Sequence, residues 1–195
     1  MSLHRSSRLL VTAAAVLLGF NSGLAAAALD KNTAAALDAA LAGDHRSTEN
    51  RARDVYRKPR EVLDFLGLRS DMTVVELSPG TGWYTQVLAP TLKDGGKYYA
   101  ANYGLAATSS YARSNFGKFM TMLGERHDLY GKVNVTQFQL PYETSVAPRG
   151  SADMVLTFRN VHNWAAGDYG TLAFRVMFDT LKPGGVLGIV DHRWP

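Results

Sequence analysis

The chain has 195 residues, 46% hydrophobic and 19% charged, enough apolar content for one globular domain with a buried core. It contains no cysteine, which excludes disulfides, thiolate metal sites and a cysteine nucleophile. The formal charge is +4, and removing Arg5 and Arg8 from the 21 Lys and Arg leaves +2 against 17 Asp and Glu, too little to indicate a nucleic-acid partner.

Residues 1–28 read as a secretory signal peptide. Arg5 and Arg8 precede the apolar run Leu9 to Phe20, and Leu24 to Ala28 supplies small residues for cleavage. The run is short for a bilayer span, so an exported, periplasmic chain with no stable membrane span after cleavage is expected. Leu29 to Ala42, alanine-rich with Leu37 and Leu41, predicts a helix closed by Gly43. Asp44 to Asn50 reads as a linker, so 29–50 forms an N-terminal helix and linker ahead of a domain over 51–195. Arg51 to Leu66 carries Val55, Val62, Leu63 and Leu66 at helical spacing, and Pro59 predicts a break near Lys58. Its basic run, including Arg53, Arg57 and Arg60, is of the kind that usually forms a solvated face.

Thr73 to Leu77 predicts the first strand. It runs through Ser78-Pro79-Gly80-Thr81-Gly82-Trp83 into a helix over Tyr84 to Leu92. Gly80 and Gly82 can take positive φ and let a ligand lie against the backbone. On this reading Gly82→Val abolishes binding and leaves the fold intact; a plain connecting turn is the alternative. A dinucleotide fingerprint would place glycine at Thr85, and a phosphate loop would need a lysine here. Lys97 to Ala101 is a second strand ending in Asn102-Tyr103-Gly104. Ser110 to Leu123 is a helix with Phe116, Phe119, Met120 and Leu123 turned to the core. Val133 to Phe138 is a third strand, and Pro141 to Gly150 a loop. Ala152 to Phe158 is a central fourth strand leading into the segment Arg159 to Trp164. Asp168 to Leu181 predicts a helix burying Leu172, Val176, Met177 and Leu181. Val186 to Val190 is a fifth strand ending in Asp191-His192-Arg193. This alternation predicts an α/β fold, a doubly wound and mostly parallel sheet with its ligand site at the strands' carboxyl ends.

Val75 to Thr85, together with Leu181-Lys182-Pro183-Gly184-Gly185 before an apolar strand, resembles the class I S-adenosylmethionine-dependent methyltransferases. Within them it looks like the exported branch of predicted methyltransferases. Tyr56 to Glu61 resembles the segment that lies over the cofactor cleft in that branch. The resemblance covers about Tyr56 to Arg193. It implies S-adenosylmethionine held by Glu76, Ser78, Gly80, Gly82, Trp83, Tyr84, Asn102 and Tyr103, with Glu76 taking the ammonium. Asn102 stands where most members carry the ribose-binding acid, and Gln139 stands nearest the adenine-side acid. Two strands that normally follow the fifth in this family are not reached by Pro195. Val186 to Val190 is therefore expected as an edge open to self-association.

Arg159, Asn160 and His162 are the candidate catalytic residues. An imidazole titrates near neutrality and can act as a base, while Arg159 and Asn160 can orient a substrate oxygen or carboxylate. The alternative is that His162 and Asn163 cap a turn and Trp164 packs. No group shows metal-ligand spacing, so no metal is expected. The expected function is methyl transfer to a small-molecule substrate. A non-catalytic exported ligand-binding or interaction protein on the same fold is the alternative, and a nicotinamide oxidoreductase is disfavoured by Thr85.

Overall fold

A computed structural model describes residues 29–192. The signal-peptide expectation for 1–28, and Arg193, lie outside them. The strands are Thr73–Leu77 (β1), Lys97–Asn102 (β2), Asn134–Gln137 (β3), Ala152–Phe158 (β4) and Leu181–Val190 (β5). All pairings are parallel, in the order β3-β2-β1-β4-β5. Chain order reverses between β1 and β4, the switch point where such sheets open a crevice. The helices are Lys31–Ala42 (α1), Thr48–Ala52 (α2), Asp54–Arg57 (α3), Pro59–Phe65 (α4), Thr85–Leu92 (α5), Ser110–Glu125 (α6), His127–Tyr130 (α7), Val161–Ala166 (α8) and Gly170–Thr180 (α9).

Alternation along the strands splits the core between the two faces. Val74, Tyr98 and Met154 meet Leu37, Leu63, Leu88 and Phe119 on one face. Val75, Leu77 and Val155 meet Phe138, Ala173 and Met177 on the other. The N-terminal helix packs on the sheet: Leu37 of α1 is fully buried in the first core, and Ser70 donates its amide to Thr33 Oγ1 at 2.8 Å. The break at Lys58 is present, with φ +42° there and Pro59 opening α4.

Other expectations shift. The 44–50 linker already contains the start of α2, because Ser47 caps it through the Asn50 amide. The segment after β4 winds into α8, and neither α8 nor α7 was expected. Met120 is exposed, and α9 buries Ala173 and Thr180 where Leu172 and Leu181 were expected. Leu181 instead opens β5 by pairing with Ala152, and the register resumes at Met154 with Val186, so 182–185 form an irregular excursion. Among the described residues β5 pairs only with β4, and Val186 and Ile189 are partly open to solvent. No helix among these residues is long and apolar enough to cross a membrane.

One buried ion pair matters for the site. Arg46, 1% exposed, donates Nη1 and Nη2 to the Asp54 carboxylate at 2.7 and 2.6 Å, and Nη1 to Leu41 O at 3.0 Å. Asp54 opens α3, so this fork fixes the short helix that reaches over the sheet. Asp54→Ala strands a buried guanidinium, and the expected loss is about 3 kcal/mol, the low end for a broken buried pair because the Asp54 side chain keeps some water contact. Urea denaturation checks it; a loss under about 1 kcal/mol would place the pair with ordinary surface bridges.

Candidate active site

The turn after β1 is bent by three positive φ values, +53° at Ser78, +62° at Gly80 and +90° at Gly82. It is pinned to β2 by the Ser78 amide, which donates to Ala101 O at 2.8 Å. The two glycines serve different ends. A Cβ on Gly80 would meet nothing within 4 Å, so space for a ligand lies above it. A Cβ on Gly82 would sit 2.5 Å from Met122 Cε and 3.1 Å from Phe119 Cδ2 of α6. Gly82 therefore lets α6 pack against the turn, a role that sequence did not suggest, and it is not among the residues lining the adjoining cavity.

Asn102 also has a structural role. It is fully buried, its Nδ2 donates to Gly80 O at 2.9 Å, and its Oδ1 accepts the Tyr103 amide at 2.9 Å. The amide braces the glycine turn, with one bond made at each end, and it is not among the residues lining the adjoining cavity. Asn102→Asp would oppose a carboxylate to the Gly80 carbonyl. Tyr103 packs on the core beside β2, and neither it, Gly82 nor Asn102 is among the residues lining the two cavities at this rim. Gln139 is bridged to Glu143.

Glu76 is 2% exposed, facing α5 from β1. Its Oε2 accepts hydrogen bonds from Tyr98 OH and from Thr85 Oγ1, the latter at 3.2 Å. Burial pushes the carboxyl up to about 7, and the bonds from Tyr98 and Thr85 offset only part of that rise. Glu76 and Gly80 border a cavity of about 370 Å³, with Ser78, Trp83 and Tyr84 from the turn and Tyr111 and Asn115 from α6. A second cavity of about 470 Å³ adjoins it, lined by Arg53, Tyr56 and Arg57. Arg57, Tyr84, Phe158 and Arg159 border both. The Tyr84 and Phe158 rings stack between them at 3.4 Å and 9°. Trp83 donates its indole N–H to Asn50 O at 3.0 Å and lies 4.6 Å beneath the Arg57 guanidinium.

All three candidate catalytic residues reach the first cavity, and Asn163 and Trp164 do not; Trp164 packs edge-on against Phe138. Arg159 holds φ +63°, and its Nε and Nη2 point to His192 Nε2, each at 3.2 Å. A guanidinium only donates, so that nitrogen accepts. Asn160 Nδ2 donates to Thr157 Oγ1 at 3.0 Å and to Leu77 O and Ser78 O at 3.3 Å, tying the end of β4 to the β1 turn. His162 Nδ1 donates to Asp191 Oδ1 at 2.7 Å, which leaves Nε2 as an open acceptor.

His162, Asp191 and His192 bring ligand atoms within 4.8 Å of one another, a grouping no local spacing showed because it joins the ends of β4 and β5. Two imidazoles and a carboxylate are suitable metal donors. The Arg159 guanidinium already occupies His192 Nε2 and opposes a second cation there.

Sequence reasoning missed Arg53, Tyr111, Asn115 and Phe158 as lining residues. The signal was present for three of them: Arg53 stands four residues before Arg57, and Tyr111 four before Asn115, one helical turn apart.

An acid on the first strand, a glycine turn and a cavity at the switch point are the arrangement of a Rossmann-like α/β fold. No family model matches the sequence, and no curated protein matches it. Solved structures are similar in fold. One is a SAM dependent methyltransferase from Aquifex aeolicus, with 19% identity, TM-score 0.55, and 74% of this chain and 72% of that one covered. Another is CrArsM, an arsenic (III) S-adenosylmethionine methyltransferase from Chlamydomonas reinhardtii, with 18% identity, TM-score 0.52, and 82% and 51% covered. A third is the [4+2]-cyclase SpnF, with 17% identity, TM-score 0.52, and 83% and 60% covered. The chain has the class I methyltransferase fold.

Proposed function

We propose that this chain binds S-adenosylmethionine over the glycine turn and transfers its methyl group to a small-molecule acceptor. The observation that carries this is the Glu76 carboxyl beside the open face of Gly80, an acceptor for an ammonium next to backbone that a ligand can approach. When bound, the cofactor supplies an electrophilic methyl on a sulfonium. Glu76 takes the ammonium, and the Ser78-to-Gly80 backbone seats the methionine part. With Asn102 engaged, Tyr111 and Asn115 of α6 are the polar groups left to meet the sugar. Asp191 fixes the His162 tautomer so that Nε2 can take a proton from an acceptor group. Asn160 holds the two strand ends together around that position.

The second reading, a ligand-binding protein without chemistry, is favoured by the engaged Asn102 alone. The [4+2]-cyclase likeness is a reminder that the fold does not fix the reaction. Calorimetric titration of the full chain with S-adenosylhomocysteine and with NAD tests the proposal. Saturable binding of the first and none of the second is expected; the reverse, or no binding of either, would overturn it.

A further inference from the structure

Three guanidiniums, those of Arg53, Arg57 and Arg159, line the cavity of about 470 Å³ with the rings of Tyr56, Tyr84 and Phe158. None of the three is paired with a carboxylate among the described residues. Among the described residues Arg159 is engaged only by a ring nitrogen of His192, and Arg57 lies over the face of Trp83. Burial first, and then the nearby Arg53 and Arg159 charges, hold the Arg57 guanidinium below its ordinary value.

The acids facing these groups do not balance them. Asp191 is taken by His162 Nδ1 and by the amides of His162 and His192. Glu76 is buried and titrates near neutrality, so it supplies only part of a charge. Resting on the proposed cofactor reading, the imbalance grows: S-adenosylmethionine brings an ammonium and a sulfonium against one carboxylate, a net positive charge. The negative charge must come from the other reactant. The stacked Tyr84 and Phe158 rings offer that reactant a flat apolar wall beside the arginines.

We infer that this cavity is the acceptor-substrate pocket, and that it selects an aromatic oxyanion, a carboxylate or phosphate monoester gripped by Arg53, Arg57 and Arg159. Arginine forks match the planar or tetrahedral oxygens of such groups, and a neutral alcohol would leave them unmatched.

The test is calorimetry of the full chain with benzoate, phenyl phosphate and the neutral benzyl alcohol, each with and without saturating S-adenosylhomocysteine. Either anion or both should bind and benzyl alcohol should not, which also tells carboxylate from phosphate. Arg53→Gln and Arg159→Gln should each weaken the anion about tenfold, the loss of one charge-assisted contact, and Arg159→Lys should restore part of it. Arg53 is exposed, so its variant keeps the test open should the Arg159 variants fold poorly. Benzyl alcohol binding as tightly as the anions, or no anion binding once S-adenosylhomocysteine is bound, overturns the inference. So does a loss confined to S-adenosylhomocysteine in the arginine variants, which would assign the guanidiniums to the cofactor's carboxylate. Anion binding by a chain that does not bind S-adenosylhomocysteine would uphold the pocket and remove the methyl-transfer reading.

Discussion

Glu76→Gln is expected to make the protein more stable above neutrality and to lose its ligand. Burial raises the native carboxyl from 4.5 to about 7, so the folded chain holds a proton that the unfolded chain releases. Stability from this group is therefore greatest below the unfolded value. It falls as pH rises from 4.5 to about 7 and stays flat beyond. The full cost of ionising the buried group is about 3 kcal/mol. Glutamine keeps an oxygen for Tyr98 and Thr85 and cannot ionise, so this fall should vanish in the variant. Urea midpoints at pH 5 and pH 8 measure it, and an unchanged difference between them would remove Glu76 as the cause. The same substitution takes away the partner of the cofactor's ammonium, so S-adenosylhomocysteine affinity should fall about tenfold or more. In the wild type, that affinity should strengthen as pH rises through the same window.

Gly82→Val is expected to destabilise the fold strongly and not merely empty its site. The position sits at φ +90°, where a side chain costs about 1–3 kcal/mol. Its Cβ would also press on Met122 and Phe119, and overpacking a core adds about 1–3 kcal/mol. The sum approaches half of a typical domain's stability, so the denaturation midpoint should drop sharply. Gly80→Ala is the comparison: it carries the backbone strain alone, and it should fold while hindering the ligand. A Gly82→Val protein with native stability and no binding would restore the role that sequence suggested for it.

The backbone of this fold was plain in the residues. β1 and β4 fall at the predicted ends because apolar, branched runs stop at an acid-and-glycine turn and at Phe158. Lys58 and Pro59 broke the helix where proline chemistry requires. The site was legible as a rim, since every candidate lies at or next to the carboxyl end of a strand, but the direction of its side chains was not. Asn102 points back to Gly80, and Gly82 faces Met122, because of neighbours 20 or more residues away that no local pattern encodes. The His162–Asp191 pair spans 29 residues and exists only once β5 lies beside β4. Arg46 lies in the stretch that reads as a linker, although burial with Asp54 makes it the anchor of α3.

The bond from Asn160 to the Leu77 and Ser78 carbonyls joins points 83 and 82 residues apart in the chain. Closing so long a loop carries an entropy cost that must be met before any of its contacts form. The β1-β2-β3 half can assemble from nearer neighbours, but at that stage the cavity has no far wall. A ligand binding there finds no partner in a half-assembled chain, and mass action draws the population toward the closed seam alone. Occupancy thus favours the chain in which the β1–β4 pairing, the most distant in sequence of the strand contacts, has formed.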